Sequence, residues 1–389
     1  MRRALGVPTV GTSFVPIALA LTLVVAGCAS TEPAPDAGAE SPTPHGYVEG
    51  AEETADTQYR LVVADTTDAR VSVVDLLTGE SSSVADAPGT TDLVRDGRYA
   101  YAVSATTTTV VDSGGWTVDH ADHVHYYRAA PRSPGTIDRG GRLLGVHADA
   151  THTALTYDRS VVILDREEQD RGRIVVLDRL PRTGAGAATV PLAGSLLTPT
   201  DDGIEIRESD GARAQTVDCR SPSASTVARR GAVFACADAV VVISARGRVT
   251  TIGLPPGTGP VERLAHRPGA NGVVATGPGR AVLVDLTART ATPLPTDVPA
   301  TAATAGETGP IVATAAGGVE VRRTATSPAT RTPLPGVTDV GTVQIDTART
   351  YVNDPASNRV FEIDHRDDGR IARVITTPGR ASLMVETGR

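Results

Sequence analysis

Arg263-Leu264-Ala265-His266-Arg267-Pro268, Gly272-Val273-Val274-Ala275-Thr276, Ala281-Val282-Leu283-Val284-Asp285-Leu286 and Ala291-Thr292-Pro293-Leu294 follow one another with only short Gly, Pro, Asn and Arg-containing breaks between them. Each piece is too short and too rich in Val, Thr and Ala to hold a helical register. Gly and Pro in the breaks supply turn geometry. The stretch therefore reads as four consecutive antiparallel strands, one complete small sheet. The next unit begins near residue 300 and continues through 311–314, 319–322 and 331–334, and the one after it runs through 342–345, 350–353, 360–363 and 371–376.

The same unit extends backward along the chain. Apolar centres at Val74, Val111, Ile163, Ile206, Ile243, Val284, Val321 and Ile363 recur about every 41 residues, the period of four-stranded propeller blades. The first unit starts directly at a second strand, 60–64, followed by 71–75, and has no inner strand of its own. Residues 381–386 form an apolar strand left over at the other end. Docking that strand as the missing inner strand joins the two ends of a ring and removes an exposed sheet edge. The expected fold is an all-β propeller over residues 59–389. Eight blades are preferred and seven remain an alternative, because the interval from Val111 to Ile163 is long. A β-solenoid or paired sandwiches would leave the orphan strand at each end unexplained.

The chain of 389 residues carries a net charge of −8, and every basic residue is Arg. With a pI near 5.5, nothing points to a nucleic-acid partner. The first residues, Met1-Arg2-Arg3, are followed by an apolar run over 14–26 ending in Val25-Ala26-Gly27-Cys28. That run is short for a bilayer span and reads as a secretory leader, residues 1–27. Its ending resembles a bacterial lipobox, which implies cleavage before Cys28, a lipid on its sulfur, and an extracytoplasmic protein anchored to the cell membrane. Residues 28–58, rich in Pro, Ala, Glu, Ser and Thr, read as a flexible linker. His45, Glu49, Glu52 and Glu53 lie in it, and such an arm can reach a metal. With Cys28 lipidated, Cys219 and Cys236 are a pair in an oxidising compartment, and a disulfide between them is expected.

The densest chemistry lies in Asp119-His120-Ala121-Asp122-His123-Val124-His125-Tyr126-Tyr127. Imidazole and carboxylate together suit a borderline cation such as zinc. If the segment is extended, His123 and His125 point to one side and His120 to the other. In the blade register this segment leaves the last strand of blade two for the inner strand of blade three. His147 and His152 flank the first turn of blade three and are expected to meet the cluster. Asp119 and Asp122 are the candidates to hold the imidazoles from behind. His266 and His365 are read as loop and exposed-turn residues. Alone, the triple-His segment is equally compatible with a polar loop whose imidazoles bond one another and solvent.

No nucleophile elbow, phosphate loop or HExxH stands anywhere in the chain, so a non-enzymatic role is expected. The leader, the arm His-Gly-Tyr-Val-Glu-Gly, the strand Arg60-Leu61-Val62-Val63-Ala64-Asp65, the Asp-His-Ala-Asp-His-Val-His segment and Phe234-Ala235-Cys236-Ala237-Asp238 together resemble the AztD-type zinc chaperones. The resemblance implies a propeller that holds zinc on histidines near its axis, with further ligands on a mobile arm. It also implies delivery of that zinc to the solute-binding protein of an ABC importer. His120, His123 and His125 match the family's histidine segment. Where the family has Cys-Pro-x-Leu-His-Gly-Glu, this chain reads Cys219-Arg220-Ser221-Pro222-Ser223-Ala224-Ser225, and the arm carries His45 alone. A monomer is expected. A metal-free interaction scaffold and a metal-dependent lactonase are the alternatives.

Overall fold

The computed structural model describes residues 46–389 except 121–122, 139, 183, 185, 209–211 and 279. The leader, Cys28, His45 and Asp122 lie outside the described residues. Among those described, eight antiparallel sheets of four strands follow one another in chain order, and a ninth, three-stranded sheet is set apart from them. All eight apolar register marks fall in the third strand of their sheet, from Val74 in Arg70–Asp75 to Ile363 in Arg359–Asp364.

Burial explains the composition. The second and third strands of a sheet are covered on both faces by neighbouring sheets, so Tyr99–Val103, Gly231–Ala235 and Ala239–Ile243 are buried at every position. Small and β-branched side chains fill such two-sided layers without voids. Val233, Ala235, Val240 and Val242 of the fifth sheet, for example, pack with Val273, Ala275, Val282 and Val284 of the sixth. Outer strands face solvent, as the mostly exposed Ser81–Asp86 shows.

The ring closes as its sequence implies. Leu383–Thr387 pairs antiparallel with Arg60–Asp65, Val385 opposite Val62, and becomes the inner strand of the first sheet. It packs in turn against the inner strands Val343–Ile345 of the eighth sheet and Asp92–Arg95 of the second. The disulfide between Cys219 and Cys236 is formed, with both sulfurs in the buried layer between the fourth and fifth sheets.

Two expectations change. The fourth strand of the second sheet is Arg132–Asp138, which pairs with Thr107–Asp112 across a register shift near Gly135. The long interval after Val111 is therefore filled by a hairpin, Gly115–Asp119 with Val124–Arg128, inserted between the third and fourth strands of that sheet. The histidine segment is this hairpin and not the passage from blade two to blade three. Pro134 and Gly135 disguise the true outer strand as a loop, which is why the register slips at that point. Within the expected linker, residues 46–58 lie on the propeller, and Glu52–Thr54 adds a third strand to the hairpin by pairing with Val124–Arg128.

Closure makes the last strand as important as any in the interior. Val385→Ala, at a site 4% exposed, is expected to lower unfolding free energy by about 2 kcal/mol in urea titration. Val374→Ala, 48% exposed on an outer strand, should stay within about 0.5 kcal/mol of the parent.

Candidate metal centre

The hairpin is built on a buried ion pair. Arg98 donates from Nε and Nη2 to both oxygens of Asp112, at 2.9 and 2.7 Å, and both side chains are nearly inaccessible. Its guanidinium lies 3.8 Å from the centroid of Trp116, the second residue of the hairpin, and Trp116 stacks on Tyr127 of the returning strand. Trp116 Nε1 donates to the Gly46 carbonyl at 3.0 Å, tying down the arm. The chain turns into the hairpin at Gly114, whose φ of +72° and closeness to the Ala129 carbonyl exclude any Cβ.

From that base the hairpin crosses one mouth of the central channel. Thr117 Oγ1 reaches the Gly388 carbonyl of the first sheet at 3.5 Å, and the Asp119 carboxylate reaches Arg229 of the fifth sheet at 3.7 Å. The three imidazoles converge near its tip. Their ligand atoms all lie within 4.8 Å of one another, and their ring centroids are 4.9 to 5.4 Å apart. His120 joins the other two, contrary to the alternation expected of an extended strand, because the chain reverses directly after it. Its backbone N–H donates to the His123 carbonyl at 2.9 Å and folds its ring back over the pair.

His125 has a further partner. Its Nδ1 is 2.7 Å from Glu53 Oε1 on the arm strand, an arrangement that leaves Nε2 facing the other two rings. Around a tetrahedral zinc with Zn–N bonds of about 2.1 Å, neighbouring nitrogens are about 3.4 Å apart. Small ring rotations bring the three imidazoles to that spacing. His123 is exposed while His120 and His125 are partly covered, so an ion here has an open side.

The remaining candidates fall elsewhere. His147, on the inner strand Leu143–Ala148, lines the channel with Nε2 3.2 Å from Ser225 Oγ. His152 opens the next strand and is bonded to Thr151 Oγ1 at 2.9 Å. Neither belongs to the imidazole cluster among the described residues. The reason is topological: the hairpin rises from the second sheet over the mouth, whereas the inner strand of the third sheet aims His147 into the wall. The Asp119 carboxylate is 3.7 Å from Arg229 Nη1. His266 also lines the channel, its Nδ1 donating to the Arg267 carbonyl at 2.7 Å and its Nε2 accepting from Thr226 Oγ1 at 3.0 Å. His365, expected in an exposed turn, is 2% exposed and bonded to Thr350. Of the arm residues read as able to reach a metal, Glu53 stands against the cluster through His125.

These features define a class: a β-propeller with a surface imidazole cluster beside its axis. Two solved structures of AztD from Citrobacter koseri are similar to it, at 17% and 18% identity with TM-scores of 0.64 and 0.63, each covering 85% of this chain and 98% of its own. In fold the chain is an AztD-type β-propeller. The dihydro-heme d1 dehydrogenase NirN, in complex with DHE, is similar at 14% identity with a TM-score of 0.52 over 86% of this chain and 76% of its own. No family model matches the sequence, and no curated protein does either.

Burial depresses the pKa of His147 to about 4, against the pull of Asp96, with His266 adding to the depression. Burial likewise lowers His266 to about 4, opposed by its bond to the Arg267 carbonyl and reinforced by Arg95, Arg267 and Arg389. Both are neutral in the folded protein at pH 7. The unfolded chain takes up their protons near the ordinary value of 6.5 and the folded chain only near 4, so stability is full above about 6.5 and declines as pH falls through that window. Urea midpoints measured from pH 7 to pH 5 should fall for the parent, and fall less for His147→Gln combined with His266→Gln.

Proposed function

We propose that this chain is an extracytoplasmic zinc carrier that takes up the ion as cargo on His120, His123 and His125 and surrenders it to the solute-binding protein of an ABC importer. The observation that carries the reading is the imidazole cluster itself, three ligand atoms within 4.8 Å on a hairpin over the channel mouth. Glu53, accepting from His125 Nδ1, fixes that ring's orientation, as carboxylate partners of zinc-bound histidines do. Three protein ligands with one open side leave a coordination position for an incoming ligand from the acceptor, so transfer proceeds by exchange without a free ion. The resemblance of the histidine segment to AztD-type zinc chaperones supplies the acceptor, and the lipobox-like Val25-Ala26-Gly27-Cys28 supplies a membrane anchor beside it. Nothing in this account requires bond-making chemistry, so the proposal includes no enzymatic step.

Metal-free protein is expected to bind about one zinc per chain, measured by competition with a chromophoric chelator. His123→Ala combined with His125→Ala should abolish uptake, and Glu53→Ala should weaken it by about 10-fold. Unchanged uptake in the double variant overturns the assignment and leaves the interaction scaffold as the better reading. Mixing the zinc-loaded protein with an importer's solute-binding protein should move the metal to the latter faster than dissociation into a chelator.

A further inference from the structure

The channel itself is a second site. Its cavity, about 990 Å³, is the size of a small-molecule pocket and is lined by the inner strands of the sheets. The charges on its wall are not balanced. Arg263 donates from Nη1 only to the carbonyls of Ala300 and Ala302, at 3.1 and 3.2 Å, and no carboxylate acts on it. Arg95 donates from Nε to the neutral Gln344 Oε1 at 3.2 Å, and the pull of Glu386 and Asp96 on it does not offset its burial beside Arg389. Two carboxylates line the cavity against four guanidiniums, Arg95, Arg142, Arg263 and Arg389. Asp96 is committed to Arg166 and the Tyr101 hydroxyl, each at 2.6 Å, and Glu262 is exposed; Glu386, buried behind the wall, holds Arg389 at 2.9 Å. Burial moreover raises the Glu386 pKa against the pull of Arg389 and Arg95, reducing its worth as a counter-charge. A guanidinium cannot shed its proton, so a partly covered one with no carboxylate bonded to it favours an anion beside it.

Position narrows the ligand. Arg263 opens its inner strand, Arg263–Ala265, while Arg95 closes its own, Asp92–Arg95. Inner strands run side by side along the channel, so the two guanidiniums sit toward opposite ends, separated by about 10 Å of strand rise. Neutral donors and acceptors lie between them, including Ser225 and Thr226. We infer that the channel binds a small molecule carrying carboxylate or phosphate groups, one held by Arg263 and another by Arg95. This rests on none of the zinc ligands, and the same positive wall keeps a cation on the hairpin outside.

The test uses metal-free full-length mature protein at fixed ionic strength, with adipate, inorganic phosphate and the neutral 1,6-hexanediol as probes. Adipate is expected to raise Tm in a saturable way and hexanediol to leave it unchanged. Saturation by phosphate but not adipate assigns a phosphate-bearing ligand, and saturation by adipate alone a carboxylate. Arg263→Gln and Arg95→Gln should each raise the apparent Kd at least 10-fold, and Arg263→Lys should fall between. Arg323→Gln, which removes an exposed guanidinium bonded to Asp368 at the surface, should leave it unchanged. Absence of saturable stabilisation by either anion, or equal stabilisation in the parent, Arg263→Lys and Arg95→Gln, overturns the inference. Repeating the titration with His123→Ala combined with His125→Ala keeps the two readings separate, because loss of zinc uptake there must leave anion binding intact.

Discussion

The whole architecture depends on one pairing, that of Leu383–Thr387 with Arg60–Asp65. Each of the other seven four-stranded sheets is made of strands consecutive or nearly so in the chain, and buries its faces against the sheets on either side. Without the pairing, the circle would end in an unpaired inner edge, and the first and eighth sheets would lose their common boundary. With it, Val385 packs among Val62, Val73 and Ala100, while Met384 on the opposite face packs with Leu61, Tyr351 and Ile375. One strand is thus the core of two interfaces. The long loop between its partners is closed at an entropic cost, which a ring repays by leaving no open end.

Much of this was legible because propeller strands repeat a local signal. The third strand of each unit carries an apolar centre, so Val74 through Ile363 mark it independently of the loops. The orphan strand at 381–386 and the headless first unit needed only to be matched to each other. The failures were of a different kind. Arg132–Asp138 carries a Pro and a Gly, reads as a turn, and is nevertheless held by its ladder to Thr107–Asp112. Tertiary pairing outweighed local propensity there. His365 looked exposed among charged neighbours, yet its ring is buried beside Thr350 while those neighbours face outward.

The candidate site was legible in composition and opaque in geometry. Three histidines within six residues announced themselves, but side-chain alternation placed His120 on the wrong side because it presumes an uninterrupted strand. The reversal that brings His120 back depends on the pairing of Val118 with His125 and Asp119 with Val124, a register no single segment encodes. The approach of Glu53 is harder still to read, since its strand of three residues exists only against Val124–Arg128. The channel arginines gave no signal in sequence at all. Arg95 and Arg263 become neighbours of one cavity solely through ring closure.

Charge separates the two compartments of the axis. Inside, His147 and His266 are neutral, bonded to Ser225 and Thr226, and accompanied by guanidiniums, an environment hostile to a divalent cation. Over the mouth, His125 of the imidazole cluster meets the carboxylate of Glu53 instead. The hairpin is an insertion whose footing is the buried Arg98–Asp112 pair and the Trp116 stack, so its tip can vary without disturbing the layers beneath. A ring that must stay closed and a cargo site that must stay open are thereby assigned to different parts of the chain, and the Arg98 guanidinium is where they meet.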